Sequence, residues 1–278
     1  MKSENMLRYS ILDPTGNITA IVESPVEITR QPELASRIMR LRPEVEQVGF
    51  LSVPDGEGLP ALRMAGGEFC GNASMSAAAL VLIRRGLSHG ELLLRVSGAE
   101  KPVAVRLRHE GSGSFEAELQ MPSALGIAVE QFVFGGLSGT LPLVRMEGIS
   151  HLIVEPASAF FALLQDRPAA EEAVRRFCAD LGADGLGLLF LEGEGRERSM
   201  TPLVYVPGCG TCFWENSCAS GSAAVGMLLA SRAGRREAFS LREPGGILRV
   251  ESDPAGRETK LGGHVRLTQC LEIPEEEL

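Results

Sequence analysis

The sequence predicts a mixed α/β (α+β) protein built as two similar halves, each with a central helix wrapped by mostly antiparallel strands. Two observations predict this fold class. A cysteine followed by a run of small residues, typical of a tightly packed helix, occurs at Cys70 and again at Cys218. The predicted order of strands and helices before each cysteine is also the same, which indicates an internal duplication. A chain of 278 residues is long enough for two ordinary cores.

In the first half, alternating apolar residues between turn-forming residues predict the strands. These strands lie at 7–12, 18–22, 47–53, 62–64, 91–96, 103–108 and 115–121. A short helix is predicted over 31–41, with Leu34, Ile38 and Leu41 on one face. The small-residue helix over 73–83 follows Cys70, so this cysteine is expected at a helix N-terminus.

The second half repeats this order. Strands are predicted at 141–146, 152–155, 187–191, 203–206, 247–252 and 263–271. A helix is predicted over 168–181, and a glycine-rich loop precedes the helix that follows Cys218. We therefore expect an N-terminal domain of residues 1–121 plus 264–278, which carries Cys70, and a C-terminal domain of residues 122–263, which carries Cys218.

Composition excludes several classes of partner. The chain is 44% hydrophobic and 23% charged, which is typical of soluble globular proteins. A formal net charge of −9 argues against nucleic-acid binding, because that function needs a basic face. No stretch has the form of a signal peptide, and charged residues interrupt the apolar runs before they reach the length of a membrane span. We expect a cytoplasmic protein with neither a nucleic-acid nor a membrane partner.

The six cysteines are expected to be mostly free thiols, because this number in so long a chain does not make a disulfide framework. Cys209 and Cys212 form the single Cys-x-x-Cys pattern. With no second cysteine pair or histidine pair nearby, this pattern predicts zinc only weakly. We therefore expect no metal, and a loop-shaping role for this pair.

Cys70 and Cys218 together suggest proton-transfer chemistry. Either one alone is most simply a small buried hydrophobe. At a helix N-terminus, however, unpaired N–H groups and the helix dipole favour a thiolate and can hold a carboxylate. Two facing thiols can remove a proton from one side of a carbon atom and return one to the other side.

Two segments carry a family resemblance. Gly-Glu-Phe-Cys-Gly-Asn at 67–72 and Cys-Ala-Ser-Gly-Ser-Ala at 218–223 resemble the active-site motifs of the diaminopimelate epimerase-like amino-acid racemases, which work without pyridoxal phosphate. Weaker similarities at 15–17, 46–48 and 148–151 extend the resemblance over nearly the whole chain. It implies two pseudo-symmetric halves, each a strand barrel around a central helix, with the site in the cleft between them.

The resemblance also implies the site residues and the partner. Cys70 and Cys218 would be the two catalytic bases, acting without cofactor or metal on a small amino acid. The substrate-binding residues, which would hold the α-amino and α-carboxylate groups and the side chain, are Asn17, Glu46, Gln47, Gly71, Asn72, His151, Trp214, Glu215, Ala219 and Ser220. A homodimer is left open.

Departures from the family pattern bear on the substrate. Positions where diaminopimelate epimerase holds the distal end of its substrate with asparagines carry Met64, Ile149 and Gly187 here, so diaminopimelate is disfavoured. The segment Arg-Met-Ala-Gly-Gly-Glu-Phe-Cys-Gly-Asn at 63–72, together with Trp214-Glu215 before the second cysteine, looks most like the histidine racemases that supply D-histidine for opine-type metallophores.

In that interpretation, Trp214 stacks on the imidazole, and Glu215 or Glu46 accepts a ring N–H. Alternatively, Trp214 fills the junction between the two domains and Glu215 caps the helix at its N-terminal turn. An altered diaminopimelate epimerase, a racemase for another neutral amino acid, and a catalytically silent amino-acid-binding homologue stay open.

Overall fold

The protein is described by a computed structural model that covers residues 6–54, 56, 58–195 and 197–277. The chain divides into two compact units. The N-terminal unit comprises the residues up to Leu119 together with Gly262–Leu278, and the C-terminal unit comprises Gln120–Leu261. Within the described residues, no helix is both long and apolar enough to cross a membrane.

The regular elements, in chain order, are as follows. The strands are β1 Met6–Pro14, β2 Thr19–Val22, β3 Gln47–Ser52, β4 Ala61–Met64, β5 His89–Val96, β6 Val103–Gly111, β7 Ser114–Gln120, β8 Gly126–Phe134, β9 Leu137–Arg145, β10 Ser150–Val154, β11 Leu186–Glu194, β12 Glu197–Val206, β13 Thr211–Trp214, β14 Glu237–Glu243, β15 Gly246–Ser252 and β16 Thr259–Pro274. The α-helices are α1 Gln31–Leu41, α2 Gly71–Arg84, α3 Arg167–Leu181 and α4 Ala219–Ala233. Short 3₁₀ turns lie at Ile28–Arg30, Ala159–Gln165 and Glu275–Glu277.

The N-terminal unit is a closed barrel. Its strands follow the order β1-β2-β3-β4-β5-β6-β7-β16, and β16 pairs back with β1. The β2–β3 and β4–β5 pairs are parallel, and the other described pairs are antiparallel. A parallel pair needs a crossover connection, which α1 provides for the first pair and α2 for the second. The predicted mixed α/β fold with a barrel around a helix is confirmed in this unit.

Helix α2 is the central helix of the barrel. Every residue from Gly71 to Leu82 is buried, and the helix contacts strands β1 to β6. Its alanines and serines let the strands approach from all sides, and a helix buried all round is one that forms the core of its unit. Helix α1 packs against β3 and contributes Leu34 and Ile38 to a buried cluster that also contains Tyr9. Leu41, predicted on the same face, is instead 47% exposed, because α1 ends there.

The C-terminal unit repeats this plan. Its strand order is β16-β15-β14-β12-β11-β10-β9-β8, with β13 paired to β12. The parallel pairs are β10–β11, connected through α3, and β12–β14, connected through α4. Residues Ala219–Leu228 of α4 are buried against β9, β10, β14 and β15, whereas α3 covers a separate cluster around Phe177 and Phe190. The predicted duplication of element order is present in the fold.

Three strands of this unit were not predicted. Strand β8 forms a hairpin with β9 through Gly135 and Gly136, which both have positive φ, but its exposed Val129 and Val133 weaken the pattern of a buried strand. Strand β13 lies in the stretch predicted as a glycine-rich loop. Strand β14 alternates buried and exposed residues and ends at the buried Glu243.

The close contact of α4 with β15 gives a test of the packing. A Cβ atom added at Gly226 would overlap Cγ1 of Val250. We expect Gly226→Ala to lower the free energy of unfolding by about 1–3 kcal/mol, as overpacking does, although alanine is the better helix former by about 1 kcal/mol. Chemical denaturation measures this change. Gly90→Ala, whose added Cβ would lie 3.9 Å from Leu82, is the control, and equal effects in both variants would contradict the prediction.

Candidate active site

Cys70 is the N-cap residue of α2, as the sequence predicts. Its backbone is extended, with φ −133° and ψ 115°, and its Sγ accepts the N–H of Ala73 at 3.4 Å. The Cys70 carbonyl accepts both the N–H and the Oγ–H of Ser74, at 3.0 and 2.7 Å. In the preceding loop, Ser97 Oγ donates to the carbonyl of Glu68 at 2.8 Å. The cysteine is thereby held at the start of a helix that cannot shift within the barrel.

A chain of side-chain amides leads to Cys70. Its Sγ donates to Oε1 of Gln47 at 3.0 Å. Nε2 of Gln47 in turn donates to Oδ1 of Asn17, which also accepts from Nδ2 of Asn72 at 3.2 Å. Nδ2 of Asn17 donates to the Glu46 carboxylate at 2.6 Å. Since an ionised carboxylate only accepts hydrogen bonds, Glu46 fixes the orientation of Asn17 and, through it, of Gln47. The structure thus brings together five of the predicted site residues.

Cys218 is the N-cap residue of α4 and is 4% exposed. Its N–H donates to Oε2 of Glu243 at 2.6 Å, and the other oxygen of this carboxyl accepts from Ser222 Oγ. The Cys218 carbonyl accepts the N–H of Ser222 at 2.8 Å. Ser220 Oγ lies 3.7 Å from the Cys218 Sγ. The helix start therefore repeats that of α2, but a buried carboxyl from β14 replaces the amide chain.

The first residues of both helices are suited to an anion. Gly71 and Asn72 begin α2, and Ala219 and Ser220 begin α4, and all four are buried. The first N–H groups of a helix lack intrahelical acceptors, and the helix dipole gives them a partial positive charge. These four predicted residues lie where backbone amides can hold a carboxylate.

Cys218 lies close to two acidic side chains, those of Glu215 and Glu243. Burial raises the pKa of Cys218 well above its ordinary value, and the nearby Glu215 and Glu243 carboxylates raise it further. Burial also raises the pKa of Glu243 to about 8, although its hydrogen bonds with Ser222 and with the Cys218 N–H act in the opposite direction. Glu215, predicted as a substrate or capping residue, contacts Cys218 through its side chain.

His151 lies wholly buried on β10, beside Gly187 of the parallel strand β11. A Cβ atom on Gly187 would overlap the imidazole, so a glycine there makes room for the ring. Burial lowers the pKa of His151 to about 3, which keeps the imidazole neutral, and both ring nitrogens lack a hydrogen-bond partner within the described structure.

His151 and Cys218 lie on the same side of the C-terminal sheet. Leu189, two residues after Gly187 on the same strand face, would contact a Cβ atom at Gly221 of α4 at 2.9 Å. That same position is 3.1 Å from the Cys218 Sγ. The α4 side of the sheet therefore carries both the histidine and the cysteine.

Trp214 lies on the other side, which α3 covers. Its ring stacks on Phe190, with centroids 5.8 Å apart and planes at 16°, and its Nε1 donates to Glu171 at 3.2 Å. The Arg167 guanidinium lies 4.8 Å from the ring centroid. These contacts place the ring in the packing under α3 of the C-terminal unit, and no described contact connects it with Cys218. Stacking of Trp214 on a substrate stays a prediction.

Sequence analysis missed Glu243 and Ser222. A signal for Glu243 was present, because Phe239, Leu241 and Glu243 occupy alternate positions and all three are buried. An acidic residue in a core position of a strand indicates a specific polar partner. The six cysteines, Cys70, Cys178, Cys209, Cys212, Cys218 and Cys270, are free thiols. Over the described ranges, no cluster of three or more histidine, cysteine or acidic side chains could hold a metal.

Comparison with solved structures identifies the class of fold. A hydroxyproline epimerase from Agrobacterium vitis superposes with a TM-score of 0.69, covering 98% of this chain and 94% of the epimerase, at 13% sequence identity. At this identity the similarity establishes the fold, which is one that racemases and epimerases use.

The particular family follows from the sequence comparisons. The family model described as "Histidine racemase CntK N-terminal domain" matches residues 6–269, so the chain belongs to the histidine racemase family. A histidine racemase of Fusobacterium nucleatum subsp. nucleatum is 31% identical over 236 residues, which are 81% of each chain. Another, from Staphylococcus aureus, is 27% identical over 272 residues, or 95% of this chain and 96% of the relative. The protein is an isomerase of the amino-acid racemase class, and the predicted family resemblance is confirmed.

The buried neutral His151 makes stability depend on pH. Because the pKa of this histidine is lowered to about 3 in the folded state, the unfolded chain binds more protons between pH 3 and 6.5. The free energy of unfolding should therefore fall as the pH decreases from 6.5 toward 3, by up to about 1.4 kcal/mol per pH unit.

His151→Gln should lose this contribution, and urea denaturation across the pH series measures the difference from wild type. His89→Gln, which replaces an exposed histidine, is the control and should retain it. Parallel pH curves for wild type and His151→Gln would contradict the prediction.

Proposed function

We propose that the enzyme interconverts L- and D-histidine, with Cys70 and Cys218 as the two bases acting at Cα. The observation that carries this proposal is the duplicated helix start. In each unit a cysteine is the N-cap residue of a helix that is buried from its first residue. The named relatives are histidine racemases, which supports histidine as the substrate.

The reaction needs one thiolate and one thiol. The thiolate removes the Cα proton from one face of the amino acid, and the electron pair left behind is delocalised into the α-carboxylate. The thiol then delivers its proton to the opposite face of Cα, which inverts the configuration. Each turnover leaves the protonation states of the two cysteines exchanged, so a proton must return before the next turnover in the same direction.

The backbone N–H groups at the two helix starts supply the stabilisation that this intermediate needs. Negative charge develops on the carboxylate as the Cα proton leaves, and preorganised N–H donors act on charge that appears in the transition state. We assign this role to Gly71, Asn72, Ala219 and Ser220. In the N-terminal unit, the amide chain ending at Gln47 holds Cys70 in place.

The residues at three positions where diaminopimelate epimerase has asparagines support a neutral side chain on the substrate. Met64 and Ile149 are 0% and 5% exposed, and both replace polar residues expected for diaminopimelate. Gly187 replaces a third, and its neighbour His151 is neutral. A second charged end on the substrate would lose its hydrogen-bonding partners at these positions, at a cost of several kcal/mol in total. These observations favour histidine over diaminopimelate.

The compartment and the pathway belong to this proposal as well. Six free thiols are typical of a reducing compartment, which supports the cytoplasm. Supply of D-histidine for an opine-type metallophore rests on the resemblance at 63–72 and 214–215 alone.

The reaction is tested by deuterium uptake at Cα. Reduced enzyme in D₂O, without pyridoxal phosphate, is offered L-histidine, LL-diaminopimelate and a panel of neutral amino acids, and NMR follows the α-proton. We expect exchange on histidine together with loss of optical rotation. Exchange on diaminopimelate alone would contradict the substrate proposal, and exchange on no amino acid would contradict the reaction.

The two bases are tested by single substitutions. Cys70→Ser and Cys218→Ser should each reduce racemisation of histidine by about a thousandfold or more, because a hydroxyl is a far weaker base than a thiolate at neutral pH. Polarimetry with each pure enantiomer measures the rate. Cys209→Ser is the control, since this thiol contacts Thr211 in a loop and should be dispensable. Wild-type rates in both active-site variants would exclude the two-cysteine mechanism.

A further inference from the structure

The carboxyl group of Glu243 forms hydrogen bonds with the start of α4. Glu243 is the last residue of β14, is 4% exposed, and reaches the helix start from outside the motif. One carboxyl oxygen accepts the N–H of Cys218 at 2.6 Å and the other accepts Ser222 Oγ. The N–H of Gly245, just after β14, donates to the carbonyl of Asn216 at 2.7 Å. The end of β14 and the segment that carries Cys218 are thus joined by three hydrogen bonds.

A neutral amide could bond to the same two groups without the cost of burying an ionisable group, because its oxygen would accept the Cys218 N–H and its NH₂ group would donate to Ser222 Oγ. Glutamine has nearly the same shape as glutamate and also offers an acceptor to the Cys218 N–H. A carboxyl group at this position has one property that glutamine lacks, because it carries a negative charge when it is deprotonated and none when it is protonated. The helix dipole favours this charge, whereas burial opposes it, and burial is the larger effect here.

The groups that surround Cys218 make the thiol the favoured form. Burial is the largest effect, and the carboxylates of Glu215, from the segment before α4, and Glu243, from β14, also disfavour a thiolate, whereas the hydrogen bond from the Gly221 N–H favours it and is the smallest effect. His151, on the α4 side of β10, is neutral and adds no positive charge. The hydrogen bonds described for Cys70, in contrast, are with neutral groups of Gln47 and Ala73.

We propose that Glu243 is a positioning residue for Cys218, which fixes the backbone at the start of α4 and keeps the Cys218 side chain protonated. Cys218 then supplies the proton, and Cys70 is the cysteine that must become the base, in the turnover that starts from the resting enzyme. This assignment of acid and base rests on the two-cysteine reaction proposed above, whereas the effect of Glu243 on Cys218 does not.

The test is a direct titration of Cys218 in the full chain. The protein is labelled with ¹³Cβ-cysteine, and the Cys218 resonance is assigned by its absence in Cys218→Ser. Because removing a nearby negative charge lowers the pKa of a thiol by about one unit or more, Glu243→Gln should contain about tenfold more Cys218 thiolate than wild type at a pH above 8, where Glu243 of the wild type is ionised. Glu243→Asp, which keeps the charge, should titrate close to wild type.

Glu237→Gln is the matched control, since it removes another carboxylate of β14, one that pairs with Arg235. Its Cys218 titration should coincide with that of wild type. An unchanged Cys218 midpoint in folded Glu243→Gln would overturn the proposal, as would an equal shift in Glu237→Gln.

Wild-type protein provides a second measurement if Glu243→Gln fails to fold. The ¹³Cδ resonance of Glu243 should titrate near pH 8, and the Cys218 resonance should show a first inflection at the same pH. A Glu243 carboxyl that titrates at its ordinary value, with no response from Cys218, would overturn the proposal. Since neither titration involves turnover, a shift of Cys218 without racemisation of any amino acid would refute the proposed function and leave the role of Glu243 intact.

Discussion

The close packing of two small-residue helices inside their strands is the constraint on which the rest of the structure depends. Helix α2 is buried on every side within a closed barrel, and α4 is buried in the same manner in the C-terminal unit. Glycine, alanine and serine permit close approach of the strands, as at Gly226, where an added Cβ atom would overlap Val250. Because neither helix can slide or rotate without breaking this packing, the position of its first residue is fixed. That residue follows a cysteine in both units.

The two helix starts share a backbone arrangement but differ in chemistry. In the N-terminal unit, Cys70 meets a chain of neutral amides whose orientation is set by Glu46. In the C-terminal unit, Cys218 meets two acidic side chains, Glu215 and Glu243. Duplication of a fold gives two similar helix N-termini, and substitution around each one makes them electrostatically unequal. This inequality disfavours a thiolate at Cys218, so the proposed two-base reaction starts with a thiol there.

Side chains alternate between the two faces of the strands in the C-terminal unit. One face packs against α3, and the other faces α4 and carries His151. His151 and Gly187 lie on the α4 side, where glycine leaves space for a buried neutral imidazole. Trp214 lies on the α3 side, stacked on Phe190. Glu215, the next residue, points the other way and reaches Cys218. Two neighbours that look equally suited to a substrate in the sequence therefore have different surroundings.

The sequence alone determined the features that depend on short-range pattern. The fold class, the helix bounds at 31–41 and the placement of Cys70 and Cys218 at helix starts follow from periodicity and from small residues after a cysteine. Tertiary structure alone decided which distant residues meet. Glu243 contacts Cys218 only because β14 lies parallel to β12, and Leu41 is exposed because its helix ends there. Strand pairing joins residues far apart in the chain, and no local pattern specifies the partner of a strand.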